Sequence, residues 1–132
     1  MNVFSEDLLN KILDAPVGRV ITVLGDILDC DIKLEVIEQN TVSPNHFVRK
    51  VSITAQELPV IKADVEFDST VLPKLIMTEL LKKKQGVGEI LNANNINATR
   101  NVLSLNRIPD ENRASREYEI IHNGIIWFTI FE

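Results

Sequence analysis

Phe47-Val48-Arg49-Lys50-Val51-Ser52-Ile53-Thr54 decides the fold. Side chains on a strand point to opposite faces with a period of two. One face of this stretch collects Phe47, Arg49, Val51 and Ile53, and the other collects Val48, Lys50, Ser52 and Thr54. The stretch reads as a half-buried strand with a guanidinium on its apolar face, where a charge is costly unless an anion meets it. Glu132 repeats the pattern, because its period-two partners are Ile126, Phe128 and Ile130. An inward arginine and an inward carboxylate on two strands predict a buried polar site for a small anionic ligand. A structural ion pair between Arg49 and Glu132 accounts for the same pattern equally well.

Strands lie on both sides of this one. Upstream, Asp31 to Gln39 alternates Ile32, Leu34 and Val36 against Lys33, Glu35 and Ile37, and Asn40 to Asn45 reads as a loop. Downstream, Gln56-Glu57-Leu58-Pro59 makes a turn. Ile61, Ala63, Val65 and Phe67 then alternate with Lys62, Asp64 and Glu66, giving a strand with one wet face. Ala98 to Asn106 is a further strand, and Pro109 to Asn112 a polar loop. Arg116 to Ile121 and Ile125 to Phe131 form a hairpin about Asn123-Gly124. A three-residue loop there, with Gly124 as the bulge residue, pairs Ile126 with Ile120, Phe128 with Tyr118 and Ile130 with Arg116. That register keeps one face apolar, whereas a two-residue turn sets Phe128 and Ile130 against Glu119 and Glu117.

Helical spacing fills the rest. Ser5 caps a first helix with Leu8, Leu9, Ile12 and Leu13 as its stripe. Pro16 opens a second through Val17, Val20, Ile21 and Leu24, with Gly25 as its stop. Asp68 or Ser69 opens the main helix, whose stripe includes Leu72, Leu75, Ile76 and Leu80. Lys82-Lys83-Lys84 match its dipole and Gly86 ends it. Gly88 to Leu91 adds a helical turn. This order predicts an α+β fold: one domain over residues 1–132, with a single antiparallel sheet of about six strands and helices on one face.

Composition narrows the function. The chain has 132 residues, 45% of them apolar and 25% charged, enough for one domain with a real core. A net charge of −5 argues against nucleic acid as the main partner, since phosphate binding needs surplus Lys and Arg. Cys30 is the single cysteine, which fits a reducing, cytoplasmic setting. The first residues lack a basic segment followed by an apolar one, so no signal peptide is expected. No run approaches the roughly 18 apolar residues of a membrane span. Monomer and homodimer both stay open.

Other candidates have plainer readings. His46 and His122 match no metal-ligand spacing, and no metal is expected. Cys30 lies between Asp29 and Asp31, which disfavour a thiolate. Gly86-Val87-Gly88 lacks a phosphate-loop pattern, although its amides are placed to line a pocket. Lys82 to Lys84 read as a solvated helix end. Arg100 lies between Ala98 and Val102 on one side, with Asn97 and Asn101 leaving the buried face undetermined.

With these residues in view, the chain resembles the chorismate lyase (chorismate pyruvate-lyase) family, in its shorter archaeal, cyanobacterial and plastid branch. The resemblance rests on Asp14-Ala15-Pro16-Val17-Gly18-Arg19-Val20, on the Arg49 strand, on Leu58-Pro59 with Ala63, and on Gly86-Val87-Gly88-Glu89-Ile90-Leu91. Ala98-Thr99-Arg100 and the hairpin from Tyr118 to Glu132 complete it. It implies an antiparallel sheet with a ligand pocket under helical flaps, no cofactor, and a small-molecule substrate. It implies that Arg49 binds the ring carboxylate, that the Val87 amide assists, and that Glu132 contacts the ring hydroxyl of 4-hydroxybenzoate. Arg49 and Glu132 are then the catalytic pair, and Arg100 or Arg116 takes the enolpyruvyl carboxylate. A carboxyl in an apolar wall is expected to titrate higher than usual, which suits proton transfer. The chain departs from the family in three places. Asp64 stands where longer enzymes carry arginine. Thr129-Ile130-Phe131 replaces the usual Thr-Glu order before Glu132. The sequence also stops at Glu132, where the family usually continues with an apolar tail.

Overall fold

The Arg49 strand is the second of six in a wholly antiparallel sheet, and the fold is α+β as its alternation predicts. The computed structural model describes Met1, Val3 and residues 5–132. The strands are β1 (Ile32–Ser43), β2 (His46–Ala55), β3 (Leu58–Asp68), β4 (Thr99–Ile108), β5 (Arg113–His122) and β6 (Ile125–Phe131). Their order across the sheet is β1-β2-β3-β6-β5-β4. Helices α1 (Glu6–Asp14), α2 (Val20–Leu28), α3 (Lys74–Leu81) and α4 (Val87–Ala93) cover the face that carries Val51 and Ile53. Among the described residues no helix is long and apolar enough to cross a membrane.

The core has two parts. Leu8, Leu9 and Ile12 of α1 and Leu24 of α2 pack on Ile53 and Ile61. Ile76 and Leu80 of α3 and Ile90 and Leu91 of α4 pack on Val65, Phe67, Ile120, Phe128 and Ile130. Each large aliphatic or aromatic side chain buried this way contributes about 1.5–3 kcal/mol. Ser5 caps α1 as expected, its Oγ accepting from the Leu8 N–H at 3.1 Å.

Several boundaries differ from the sequence reading, each for a local reason. Pro16 does not open α2. Residues 16–19 form a turn closed by the Arg19 N–H to the Pro16 carbonyl at 3.0 Å, with Gly18 at φ +86°. Nor does Gly25 stop α2, which runs on until Asp29 adopts a left-handed conformation at φ 49°. The main helix starts after Pro73 rather than at Asp68, because Asp68 Oδ1 accepts from the Thr70 N–H and hydroxyl at 2.8 and 2.6 Å and holds a turn. Its last residue is Leu81, and Gly86 instead precedes α4. β1 continues through the expected loop to Ser43, with irregularities between Val36 and Glu38 and between Thr41 and Ser43.

The β5–β6 hairpin sets the polar end of the site. Asn123 and Gly124 have φ values of 50° and 77°, the two left-handed residues that a two-residue turn needs. The three-residue loop therefore does not form, and Ile121 pairs with Ile126. An irregularity at Trp127 then restores the apolar face by pairing Ile120 with Phe128 and Tyr118 with Ile130. The reset brings Arg116 opposite Glu132 instead of Ile130, with backbone bonds of 2.9 Å in both directions. Past that pair, Met1 and Val3 hydrogen-bond to Ala114 and Asn112 along the same edge of β5.

Candidate functional site

Residues of both core clusters line one cavity of about 100 Å³. Its floor is the sheet, with Val51, Val65, Tyr118 and Ile130 among the residues exposed to it. Its roof comes from the α1–α2 turn and the start of α4. The two roof segments meet backbone to backbone. A Cβ on Gly18 would lie 2.9 Å from the Gly88 carbonyl oxygen, and one on Gly88 would lie 2.8 Å from the Gly18 nitrogen. Only glycine fits at either position, and at φ +86° Gly18 is doubly constrained.

One wall is charged. Glu132 lines it and pairs with Arg116, whose Nε donates to Glu132 Oε1 at 2.5 Å; the two side chains are 6% and 2% exposed. Arg116 stands behind the wall and also donates from Nη1 to the Leu13 carbonyl at 3.0 Å. Arg100 lines the cavity and donates from Nη1 to the Ala15 carbonyl at 2.5 Å. Both guanidinium carbons lie 4.8 Å from the centre of the Tyr118 ring, within cation–π range. Burial pushes the Tyr118 phenol up to about 12; the charge of Glu132 adds to this, and Arg100 and Arg116 oppose it.

Two donors in this wall are left over. Arg100 Nε and Arg116 Nη2 are buried and, among the described residues, have no hydrogen-bond partner. An unsatisfied buried donor costs about 1–3 kcal/mol, and more when charged. The wall thus has a preference for oxygen acceptors, which the Tyr118 hydroxyl meets in part through a hydrogen bond with Arg100.

Arg49 is arranged differently. It is fully buried, yet it does not line the cavity. Its Nε donates to Gln39 Oε1 at 2.8 Å, its Nη1 to the Gln85 carbonyl at 2.7 Å and its Nη2 to the Leu80 carbonyl at 2.8 Å. The alternative reading, an ion pair with Glu132, is not formed, because the hairpin register delivers Glu132 to Arg116. Three neutral oxygens take its place, one of them in the last turn of α3, where the helix dipole is negative. Burial lowers the Arg49 pKa to about 10. By tying Leu80 to Gln85, Arg49 holds the segment that leads into Val87, Gly88 and Glu89 of the roof.

The structure therefore brings Val87, Arg100 and Glu132 to one cavity, with Arg116 directly behind them and Arg49 outside it. Val87 is the first residue of α4, where a backbone N–H has no partner within the helix. The apolar wall expected around Glu132 is instead an ion pair. Sequence reasoning missed Tyr118, Gln39 and the contact between Gly18 and Gly88. Tyr118 was within reach, because it lies two residues from Arg116 and so shares its face. Comparison with protein-family models and with curated proteins finds no match to this chain.

Proposed function

We propose that the cavity takes a small ring-bearing carboxylic acid and that the chain is a chorismate pyruvate-lyase, working without a metal or organic cofactor in a cytoplasmic setting. The observation that carries this reading is the pair of buried guanidinium N–H groups, Arg100 Nε and Arg116 Nη2, left without acceptors beside Glu132 at the end of an apolar cavity. Such donors suit carboxylate oxygens. Chorismate carries two carboxylates and an enolpyruvyl ether. In the elimination, the ring carbon bearing the hydroxyl loses its proton and the ether carbon–oxygen bond to the ring breaks. The ring becomes 4-hydroxybenzoate, and the enol takes up a proton to become pyruvate. Aromatisation drives the step, so the protein has to orient the ether, accept a proton and exclude water. Glu132, held by Arg116, is the proton acceptor in this scheme. Arg100, which lines the cavity, receives a carboxylate oxygen, Arg116 behind it holds Glu132, the Val87 amide assists, and Arg49 positions the roof.

A second reading, a non-catalytic module for small aromatic acids, is favoured by size. At about 100 Å³ the cavity is smaller than the roughly 150 Å³ of an engineered apolar cavity that holds benzene, so a ligand has to widen it, and a single ring asks for less widening than the whole of chorismate. Incubation with chorismate, following pyruvate and 4-hydroxybenzoate, separates the two. Turnover that disappears in Glu132→Gln and falls in Arg100→Gln supports the lyase. Saturable 4-hydroxybenzoate binding without turnover supports the module. Absence of both removes the site from consideration.

A further inference from the structure

The two edges of the sheet are built differently. β1 carries Lys33, Glu35 and Glu38, charges that keep an edge from pairing with another chain. β4, the other edge, has none of that chemistry at its centre. Asn101-Val102-Leu103-Ser104-Leu105-Asn106 contains no charge and no proline. Nine of the ten β4 residues are exposed, and Val102, Leu103 and Leu105 are each about half exposed.

The irregularity in β4 gives this edge a particular symmetry. Val102 pairs with Tyr118 and Leu105 with Arg116, so both lie on the helix-bearing face. Asn101 pairs with Glu119 and Asn106 with Ser115, so both lie on the opposite face. In an unbroken strand, residues three or five apart fall on different faces. Here the extra residue between Val102 and Ser104 puts each pair on one face. A two-fold axis perpendicular to the sheet, passing between Leu103 and Ser104, then matches Val102 with Leu105 of a second copy, aliphatic to aliphatic. It matches Asn101 with Asn106 of the second copy, amide to amide. Facing residues of an antiparallel ladder must share a face, and the irregularity is what meets that condition.

We propose that β4 is a homodimer edge: two copies of this chain pair β4 to β4 antiparallel and join their sheets into one of twelve strands. The occupant is a second copy because the match is with the strand's own sequence, as an isologous contact requires. The register also brings Arg100 opposite Arg107 of the second copy at either end of the contact. Each already has a partner in its own chain: Arg100 donates to the Ala15 carbonyl, and Arg107 Nη2 donates to Asn10 Oδ1 at 2.7 Å with Glu6 at 3.9 Å.

Sedimentation equilibrium of the purified full chain at high micromolar concentration tests this. The expected result is twice the 14.9 kDa chain mass. Val102→Lys and Leu105→Glu are exposed changes that leave the circular dichroism intact. Each alone is expected to weaken self-association about tenfold by placing charge against an aliphatic side chain. Mixed together they are expected to associate better than either alone, because Lys at 102 then faces Glu at 105. A monomer at these concentrations overturns the proposal. A dimer indifferent to both substitutions, or single variants that fail to recover on mixing, overturns it as well.

Discussion

Arg49 and the Arg100–Arg116 pair serve the two helical layers in the same way and differ in what they have left to give. All three project from the sheet and donate to main-chain carbonyls at or beyond a helix end: Leu80 and Gln85 for Arg49, Leu13 and Ala15 for the pair. Arg49 then has an acceptor on each nitrogen, whereas Arg100 and Arg116 each keep a buried nitrogen without one. An inward arginine is thus not a ligand site by being inward. Its free donors decide, and by that measure the α3–α4 side is satisfied within the fold and the α1–α2 side keeps donors to spare.

Arg49→Met is the hardest blow to that contrast. The substitution takes the donor from the half-buried Gln85 carbonyl and Gln39 side chain, while the Leu80 carbonyl keeps its bond from the Lys83 N–H at 3.1 Å. Taking the donor from buried neutral acceptors costs about 1–3 kcal/mol. Urea unfolding should show a loss of that size, and ligand affinity of the folded fraction should fall only modestly, as the roof segment that Arg49 holds loosens. A stable Arg49→Met variant that has lost affinity would reverse the assignment and make Arg49 a ligand contact.

Glu132→Gln probes the other side. The amide preserves shape and a hydrogen bond to Arg116 but cannot accept a proton. Turnover of chorismate is expected to drop about a hundredfold or more, the usual weight of a general base. Stability should fall less than in Arg49→Met, since an acceptor oxygen remains for Arg116. A variant with undiminished turnover would end the role of Glu132.

The comparison also marks how far the sequence could be read. Alternation alone placed Arg49 and Glu132 on the buried face, and it identified β2, β3 and the sheet class. It did not say which charge meets which. That depends on the irregularity at Trp127, a one-residue insertion in the pairing that leaves no mark in hydrophobic pattern. Arg49's real partners depend on where α3 ends, and that follows from Lys83, which turns left-handed at φ 56°, rather than from the helical stripe. Pro16 misled for a related reason, because its local preference was outvoted by packing of the α1–α2 turn against Gly88, while Gly25 simply continues a helix that ends at the left-handed Asp29. The leftover donors of Arg100 and Arg116 are legible only from coordinates, because they are defined by the bonds their neighbours make.

Tyr118 reports on the same wall without a ligand. It is the single tyrosine, so absorbance of tyrosinate reads one group. The phenol should titrate near 12 instead of 10. A proton held more tightly in the folded than in the unfolded chain stabilises the fold. That stability is fully present below pH 10 and is lost as pH rises through 12, amounting to about 2–3 kcal/mol. Because Arg100 lowers this pKa and Arg49 is absent from its causes, Arg100→Gln should raise it further and Arg49→Met should leave it in place. Equal shifts in both variants would dissolve the distinction between the two sides.

Arg100→Gln carries the smallest expected effect and the most direct test of the free-donor rule. The loss of one charged donor to a carboxylate should weaken binding of 4-hydroxybenzoate about tenfold, or about 1.4 kcal/mol. Stability is expected to change by less than that. The variant gives up a bond to the Ala15 carbonyl but also removes a buried N–H that had no partner, and these effects oppose each other. Calorimetric titration beside urea unfolding separates the two readouts. Weakened binding with near-native stability in Arg100→Gln, against near-native binding with lost stability in Arg49→Met, is the crossed pattern that the leftover donors demand. A large stability loss in Arg100→Gln with unchanged affinity would make Arg100 a helix clamp like Arg49, and the cavity would be left without an arginine for an anion.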